Sequence, residues 1–283
     1  LNYRHAFHAG NFADVLKHAT FVRVLLHLRE KDAAFRVIDT HAGAGRYDLT
    51  ADEAQRTGEW RDGIGRLLHA RVAGQAAPLL EPYLTLIREL NTQTPDTVRT
   101  YPGSPLVAAL LARPQDRLQL CELHPGERTK LEENFAGDRR ARTSDVDGWQ
   151  ALKAFLPPPE RRGAVLVDAP FEQTGEFQRL EQGLAEAHRR WASGVYLLWY
   201  PIKDTRETEA FARRLARSGI ARVLRAELSV GPVNAEAGLS ACGVMVVNPP
   251  WKLESELSVI LPALARSLGR GAAGGYRLDW LAP

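Results

Sequence analysis

Five strand-length stretches, each running into a helix-like pattern, recur along this chain: "AFRVIDTHAGAG", "DRLQLCELHP", "ARTSDVDGW", "GAVLVDAPF" and "GVYLLWYPI". Such alternation leaves few folds open. Parallel strands need long crossovers, and the crossover helices then cover both faces of the sheet. The spacing predicts an α/β fold built on a mostly parallel, doubly wound sheet. A length of 283 residues suits one such domain with an insertion rather than two large domains. Late in the chain, "ARVLRAELSV" and "SACGVMVVNPP" are joined by a Gly/Pro/Asn loop with no helix between them. The sheet is therefore expected to end in an antiparallel hairpin. Ahead of the first strand, Phe12, Val15, Ala19, Val22 and Leu26 fall at helical spacing behind Asn11 as a cap.

Roughly seventy residues separate the first and second strands, more than one crossover helix requires. Within them "DEAQRTGEWRDGIGRLLHARV" and "APLLEPYLTLIRELN" read as helices. A helical insertion subdomain without strands is expected over residues 50–103, set into a main domain made of residues 1–49 and 104–283.

In an open α/β sheet, ligands bind beyond the carboxyl ends of the strands. The first strand runs into Asp39, His41, Gly43 and Gly45. Asp48 stands where a dinucleotide fingerprint needs its third glycine. The shorter acid-x-x-x-Gly-x-Gly turn suits the amino-acid part of S-adenosylmethionine; a plain structural turn stays open on this stretch alone. The second strand ends in Glu122, a carboxylate able to accept both hydroxyls of a ribose. The third runs into Asp147 and Gly148, an acceptor for adenine's exocyclic amine beside space for its ring. Acid or glycine at three successive strand ends favours an adenosyl cofactor over coincidence.

Two strands end alike: "LVDAPF" and "VVNPPW" each deliver an acid or amide, then proline, then a large ring. The first closes a strand expected beside the topological switch point, the second a hairpin strand expected toward the sheet edge. Catalysis is assigned to Asp168, Ala169, Pro170 and Phe171, and Asn248 to Trp251 are read as structural. The lone pair of an adenine's exocyclic amine is delocalised into the ring. A carboxylate and a backbone carbonyl that accept its two N–H bonds favour a tetrahedral nitrogen able to attack a methyl group in line. Asp168 supplies the carboxylate, the Ala169 carbonyl the second acceptor, and Phe171 a face on which an extruded base stacks. Ala169 replaces the first proline of the common acid-Pro-Pro-aromatic pattern. Pro170 still biases residue 169 toward extended backbone, so activity is expected to survive.

With "YRHAFHAGNFADVLKH", "DTHAGAGRY", "YPGSPL", "ELHP", "DGWQALKAFLPP", "RRGAVLVDAPFE" and "NPPWKLE" in this order, the chain resembles, nearly end to end, the RlmJ-type 23S ribosomal RNA adenine-N6 methyltransferases of bacteria. The resemblance implies a Rossmann-like class I methyltransferase fold and S-adenosylmethionine as methyl donor, with S-adenosylhomocysteine as product. It also implies that His18, His41, Ser104, Glu122, Asp147 and Gly148 contact the donor, with Asp168 catalytic and reaching the donor as well. Tyr3 would lie near the target adenine, and "YRHAFHAGN" over the active site. The partner implied is 23S ribosomal RNA, as free or early-precursor RNA, bound by a monomer.

The formal charge is only +3, yet the sequence pI is about 9.0, so clustering matters. Arg139, Arg140 and Arg142, then Arg161 and Arg162, then His188, Arg189 and Arg190 form three basic clusters that suit a nucleic-acid partner. Cys121 and Cys242, both in apolar runs, suit reduced thiols. No membrane partner is expected, because no apolar run approaches the ~20 residues a membrane helix needs, and charges occupy the N-terminal stretch where a secretory signal is apolar. A cytoplasmic location follows. His5, His8, His18 and His41 lack zinc-like spacing with other ligands, and no metal is expected. Two other functions remain at this stage: a DNA adenine-N6 methyltransferase, disfavoured by the lack of a region for separate target recognition, and a non-catalytic RNA-binding or assembly factor, which would not require Asp168.

Overall fold

The computed structural model describes residues 4–94, 97–233, 238–271 and 274–283. A 3-10 turn (His5–Phe7) leads to helix α1 (Phe12–Arg29). The Asn11 side chain caps α1 by accepting from the Ala13 and Asp14 amides. Strand β1 (Arg36–Asp39) follows. The next stretch holds β2 (Arg46–Asp48), α2 (Asp52–Thr57), a π-helical turn (Arg61–Gly65), α3 (Arg66–His69), α4 (Ala76–Leu90) and β3 (Thr100–Pro102). Alternation then resumes with α5 (Ser104–Leu111), β4 (Arg117–Cys121), α6 (Pro125–Phe135), β5 (Ala141–Ser144) and α7 (Gly148–Ala154). It continues through β6 (Gly163–Val167), α8 (Glu176–Arg190), β7 (Val195–Pro201), α9 (Thr205–Ala216) and β8 (Val223–Ser229). The last elements are β9 (Ala241–Val247), α10 (Leu253–Leu268) and β10 (Gly275–Ala282).

The eight-stranded sheet has the order β10-β8-β9-β7-β6-β1-β4-β5. The strands from β7 through β5 in that order pair in parallel, whereas β9 is antiparallel to both β7 and β8, and β10 to β8. β6 pairs with β1, so connections leave in opposite directions at this point and open a crevice above the carboxyl ends. Alternate side chains divide the core by face. Ala164 and Leu166 join α1, α5, α10 and the insertion; Val165 and Val167 join α7, α8 and α9. Both cysteines are buried and free. No helix among the described residues is long and apolar enough to cross a membrane.

Two expectations are corrected. β9 is not near the edge: it inserts between β7 and β8, and β10, whose residues are half-exposed, forms the edge instead. Being antiparallel, β9 ends at the amino ends of the parallel strands, the opposite pole from the crevice. The insertion also contains strand: β3 pairs antiparallel with β2 through Arg46–Pro102, Tyr47–Tyr101 and Asp48–Thr100. Its apolar residues Ile64, Leu80, Tyr83 and Ile87 are continuous with the main core. The Ile64 amide donates to the Gly10 carbonyl at 2.8 Å. A Cβ on Gly63 would lie 2.2 Å from that same oxygen, so only glycine lets the insertion rest on the start of α1.

Candidate active site

Two cavities meet above the carboxyl ends of β1 and β6. The first, about 370 Å³, is walled by the turns after β1, β4 and β5 and by the start of α5. The second, about 430 Å³, lies on the other side of the segment after β6 and is walled by the start of α1, the end of β7 and Glu59 of the insertion. Asp168, Ala169 and Pro170 line both, together with His5, Lys17 and Glu172.

Asp168 is held by a buried charge relay. Lys17, one α1 turn below the helix start, contacts Asp168 Oδ2 and also reaches Asp14 Oδ1 at 2.8 Å. Asp14 Oδ2 accepts from the Gly10 amide at 2.8 Å and pairs with His5 Nε2 at 2.9 Å. Burial alone would lower the Lys17 pKa, but the Asp14 and Asp168 carboxylates override it and hold the ammonium strongly protonated. Burial likewise opposes ionisation of Asp14, yet His5 and Lys17 keep its carboxyl well below the usual range. With Oδ2 taken, Asp168 Oδ1 accepts from no described residue, nor does the Ala169 carbonyl. Both stand available as acceptors at the partition between the cavities.

The first cavity is polar and preorganised. Glu122, at the end of β4, accepts from the Gly43 amide (2.8 Å) and the His124 amide (2.7 Å). Burial raises its pKa while those two amides oppose the shift. Asp147 caps α7, its Oδ1 accepting from the Trp149 and Gln150 amides, which leaves Oδ2 for a ligand. A Cβ on Gly148 would sit 2.5 Å from both the His41 ring and the Thr40 carbonyl, so only glycine closes this wall. Burial pushes the His41 imidazole down to about 4, against the Asp168 and Asp147 charges. Thr40 Oγ1 donates to the Leu166 carbonyl, so it accepts from His41 Nδ1 at 2.8 Å and leaves Nε2 an acceptor. Ser104 opens α5 at the wall, where a helix's free amides favour negative charge.

His41, Gly43, Ser104, Glu122, Asp147, Gly148 and Asp168 thus line the first cavity, but Asp39, Gly45 and His18 do not. The Asp39 carboxyl is fully buried behind the wall, with Oδ2 unpartnered, and burial pushes it up to about 7. Gly45 is a packing glycine: a Cβ would meet Phe135 of α6 at 2.9 Å. His18 is buried against Tyr101, stacked at 5.6 Å with Nδ1 2.8 Å from the phenol oxygen, and burial drives its imidazole to about 3. Phe171 lies on the second cavity alone, edge-on to Trp199 at 6.0 Å. Tyr3 lies outside the described residues. Lys17, Asp14 and Trp199 were not among the residues expected from sequence. Their signal was two charges one turn apart inside a helix that is otherwise apolar on that face, and an aromatic at the carboxyl end of a central strand.

The other proline motif is 78% exposed at Trp251, beneath Lys252. Asn248 adopts φ 52° and donates to the carbonyls of Ala192 and Gly194, just before β7 begins. The three basic clusters also sit at this amino-end pole, at the starts of β5 and β6 and the end of α8. Arg140, Arg189 and Arg190 there are paired with Asp138 and Glu186. Among the described residues no cluster of three His, Cys, Asp or Glu side chains is arranged to hold a metal.

Comparison with known proteins agrees over the whole length. "Ribosomal RNA large subunit methyltransferase J" of Escherichia coli (strain K12) is 43% identical over 283 residues, covering 100% of this chain and 99% of that protein. The protein of the same name from Haemophilus influenzae is 40% identical with the same coverage. A crystal structure of a protein from Legionella pneumophila superposes with a TM-score of 0.87 at 34% identity, covering 96% of this chain and 98% of that one. The family described as ribosomal RNA large subunit methyltransferase D, RlmJ, matches residues 32–282, and the chain belongs to that family.

Proposed function

We propose that this chain transfers a methyl group from S-adenosylmethionine to the N6 amine of a specific adenine in 23S ribosomal RNA, giving N6-methyladenosine and S-adenosylhomocysteine. The observation that carries the reading is the pair of cavities parted by Asp168, Ala169 and Pro170. A donor and an acceptor seated on either side would meet at two free hydrogen-bond acceptors.

The residues of the first cavity fit the donor. Glu122, oriented by two amides, retains lone pairs for ribose hydroxyls. Asp147 Oδ2 and the bare face of Gly148 suit an adenine amine and ring, and Ser104 at the start of α5 suits the methionyl carboxylate. When bound, the donor supplies an electrophilic methyl on a sulfonium. The protein's part is positioning. Asp168 Oδ1 and the Ala169 carbonyl accept the two amine N–H bonds and aim the nitrogen lone pair at that methyl. On transfer, with S-adenosylhomocysteine as the leaving group, the amine's extra proton would pass toward Asp168 and solvent. Lys17 anchors the carboxylate throughout. Phe171 and Trp199 offer ring faces to a base taken out of its stack. Alanine at 169 is buried, and Pro170 biases that backbone toward extended conformations, which favours the aim of its carbonyl.

We further propose that residues 1–49 and 104–283 act as the transferase body and 50–103 as an insertion facing the RNA, acting as a monomer in the cytoplasm on free or early-precursor RNA. The test is labelled-methyl transfer by purified protein to naked 23S rRNA, assembled large subunits and duplex DNA. Transfer to naked rRNA, recovered as N6-methyladenosine by mass spectrometry, is expected. Incorporation into DNA alone, or into another atom of the nucleotide, would overturn the reading.

A further inference from the structure

An RNA that inserts one adenine at the carboxyl-end rim must be held there by its backbone, yet the three basic clusters evident in sequence lie at the opposite pole. A different set of cations occupies the rim. Arg66 and His69 of α3, Arg71 just beyond it and Arg266 of α10 line an open groove of about 570 Å³ between the insertion and α10. All four are exposed, and among the described residues no acidic side chain lines the groove. Arg66, Arg71 and Arg266 pair with no carboxylate among the described residues, whereas Arg140, Arg189 and Arg190 of the opposite-pole clusters do.

Chain direction fixes the groove on the catalytic rim. α10 begins where β9 ends, at the amino pole, and climbs to the carboxyl pole, where the Arg270 amide donates to the Val230 carbonyl just past β8. The π-helical turn before α3 is bonded to Gly10, at the start of the helix that carries Lys17 to Asp168. Glu59, two residues before that turn, walls the second cavity and accepts from the Asn11 side chain at 3.0 Å. Groove and base cavity are therefore served by one short stretch of the insertion.

We propose that this groove binds the sugar–phosphate backbone of the RNA beside the target adenine, the three guanidinium groups taking phosphates. The inference rests on the rRNA reading above. Guanidinium forks match phosphate oxygens. The fourth cation, His69, is anchored by its Nδ1, which donates to the Gly65 carbonyl at 2.7 Å and leaves Nε2 for the RNA.

The test changes Arg66, Arg71 and Arg266 together to Ala in the full chain, beside a triple Lys variant and a control with Arg139, Arg161 and Arg189 changed to Ala. Methyl transfer to transcribed 23S rRNA, filter binding of that RNA across a salt series, and calorimetry with S-adenosylhomocysteine are measured for each. The groove Ala variant should raise KM for RNA by about tenfold or more while kcat and S-adenosylhomocysteine affinity hold. Its dependence of log affinity on log salt should flatten by about 2 to 3, near one for each phosphate no longer neutralised. The Lys variant, which keeps the charge but not the forks, should keep the wild-type salt slope with a KM between those of wild type and the Ala variant, and the control should match wild type. A groove Ala variant with wild-type KM and salt slope, or a control that loses more affinity than it does, would overturn the groove. Absence of transfer by the wild type itself would instead overturn the rRNA reading.

Discussion

Asp168-Ala169-Pro170-Phe171 and Asn248-Pro249-Pro250-Trp251 share one local grammar and lie at opposite poles of the same sheet. The Asn248 motif is satisfied: its amide fills two carbonyls and its backbone sits at φ 52°, a left-handed conformation that Asn tolerates. At the other pole Asp168 Oδ1 has no partner among the described residues, while Lys17 holds Oδ2 of the same carboxylate together with Asp14. The lesson is that a motif's chemistry depends on the polarity of the strand that delivers it. One motif commits its polar groups to stability, and the other leaves a carboxylate oxygen for a ligand.

The contrast breaks most severely at Asp168. Asp168→Ala should lower methyl transfer by about 10³-fold or more, with S-adenosylhomocysteine affinity within a few-fold by calorimetry. Undiminished turnover would remove the distinction between the poles. Lys17→Met leaves Asp14 and Asp168 without their shared cation. A loss of about 3–5 kcal/mol in denaturant unfolding is expected, with turnover falling alongside; wild-type stability would mean that the relay carries no load.

Asp39 sharpens the comparison through pH. Its carboxyl is raised to about 7 in the fold, against about 3.9 when unfolded. Between those values the folded state keeps a proton that the unfolded state has released, so stability falls as pH rises from about 4 to 7 and levels above. Asp39→Asn should abolish that fall, gaining a few kcal/mol over wild type at pH 8 relative to pH 4, read from urea midpoints. Parallel pH profiles for the two proteins would contradict it. The smallest effect belongs to the satisfied pole. Asn248→Ala should cost about 2 kcal/mol of stability, through removal of two hydrogen bonds and a strained φ, with kcat unchanged; a drop in kcat beyond about tenfold would give this motif a catalytic share.

Much of this was legible in the chain. β1, β4, β6 and β7 announce themselves because strands covered on both faces carry near-continuous apolar runs, and β5 because its turn bears Asp147 and Gly148. Ligand-facing residues at their ends follow from the rule of carboxyl ends. What stayed hidden depends on distant partners. The insertion of β9 between β7 and β8 is a choice of neighbour that no local pattern encodes, and β3 is three residues long and ends in proline. Gly43 and Gly45 read alike because absence of a side chain serves a ligand or a packed phenylalanine equally. His18 and Asp39 sit one layer behind the wall, a distinction of a few ångströms that spacing does not carry.

The most direct measurement is a crystal structure of the wild type with S-adenosylhomocysteine and adenosine monophosphate. The expected result has the sulfur in the first cavity and the adenine in the second, with N6 within about 3.2 Å of Asp168 Oδ1 and of the Ala169 carbonyl oxygen. An adenine seated elsewhere, or Asp168 turned from the partition with both cavities filled, would contradict the assignment of catalysis to the carboxyl-end motif.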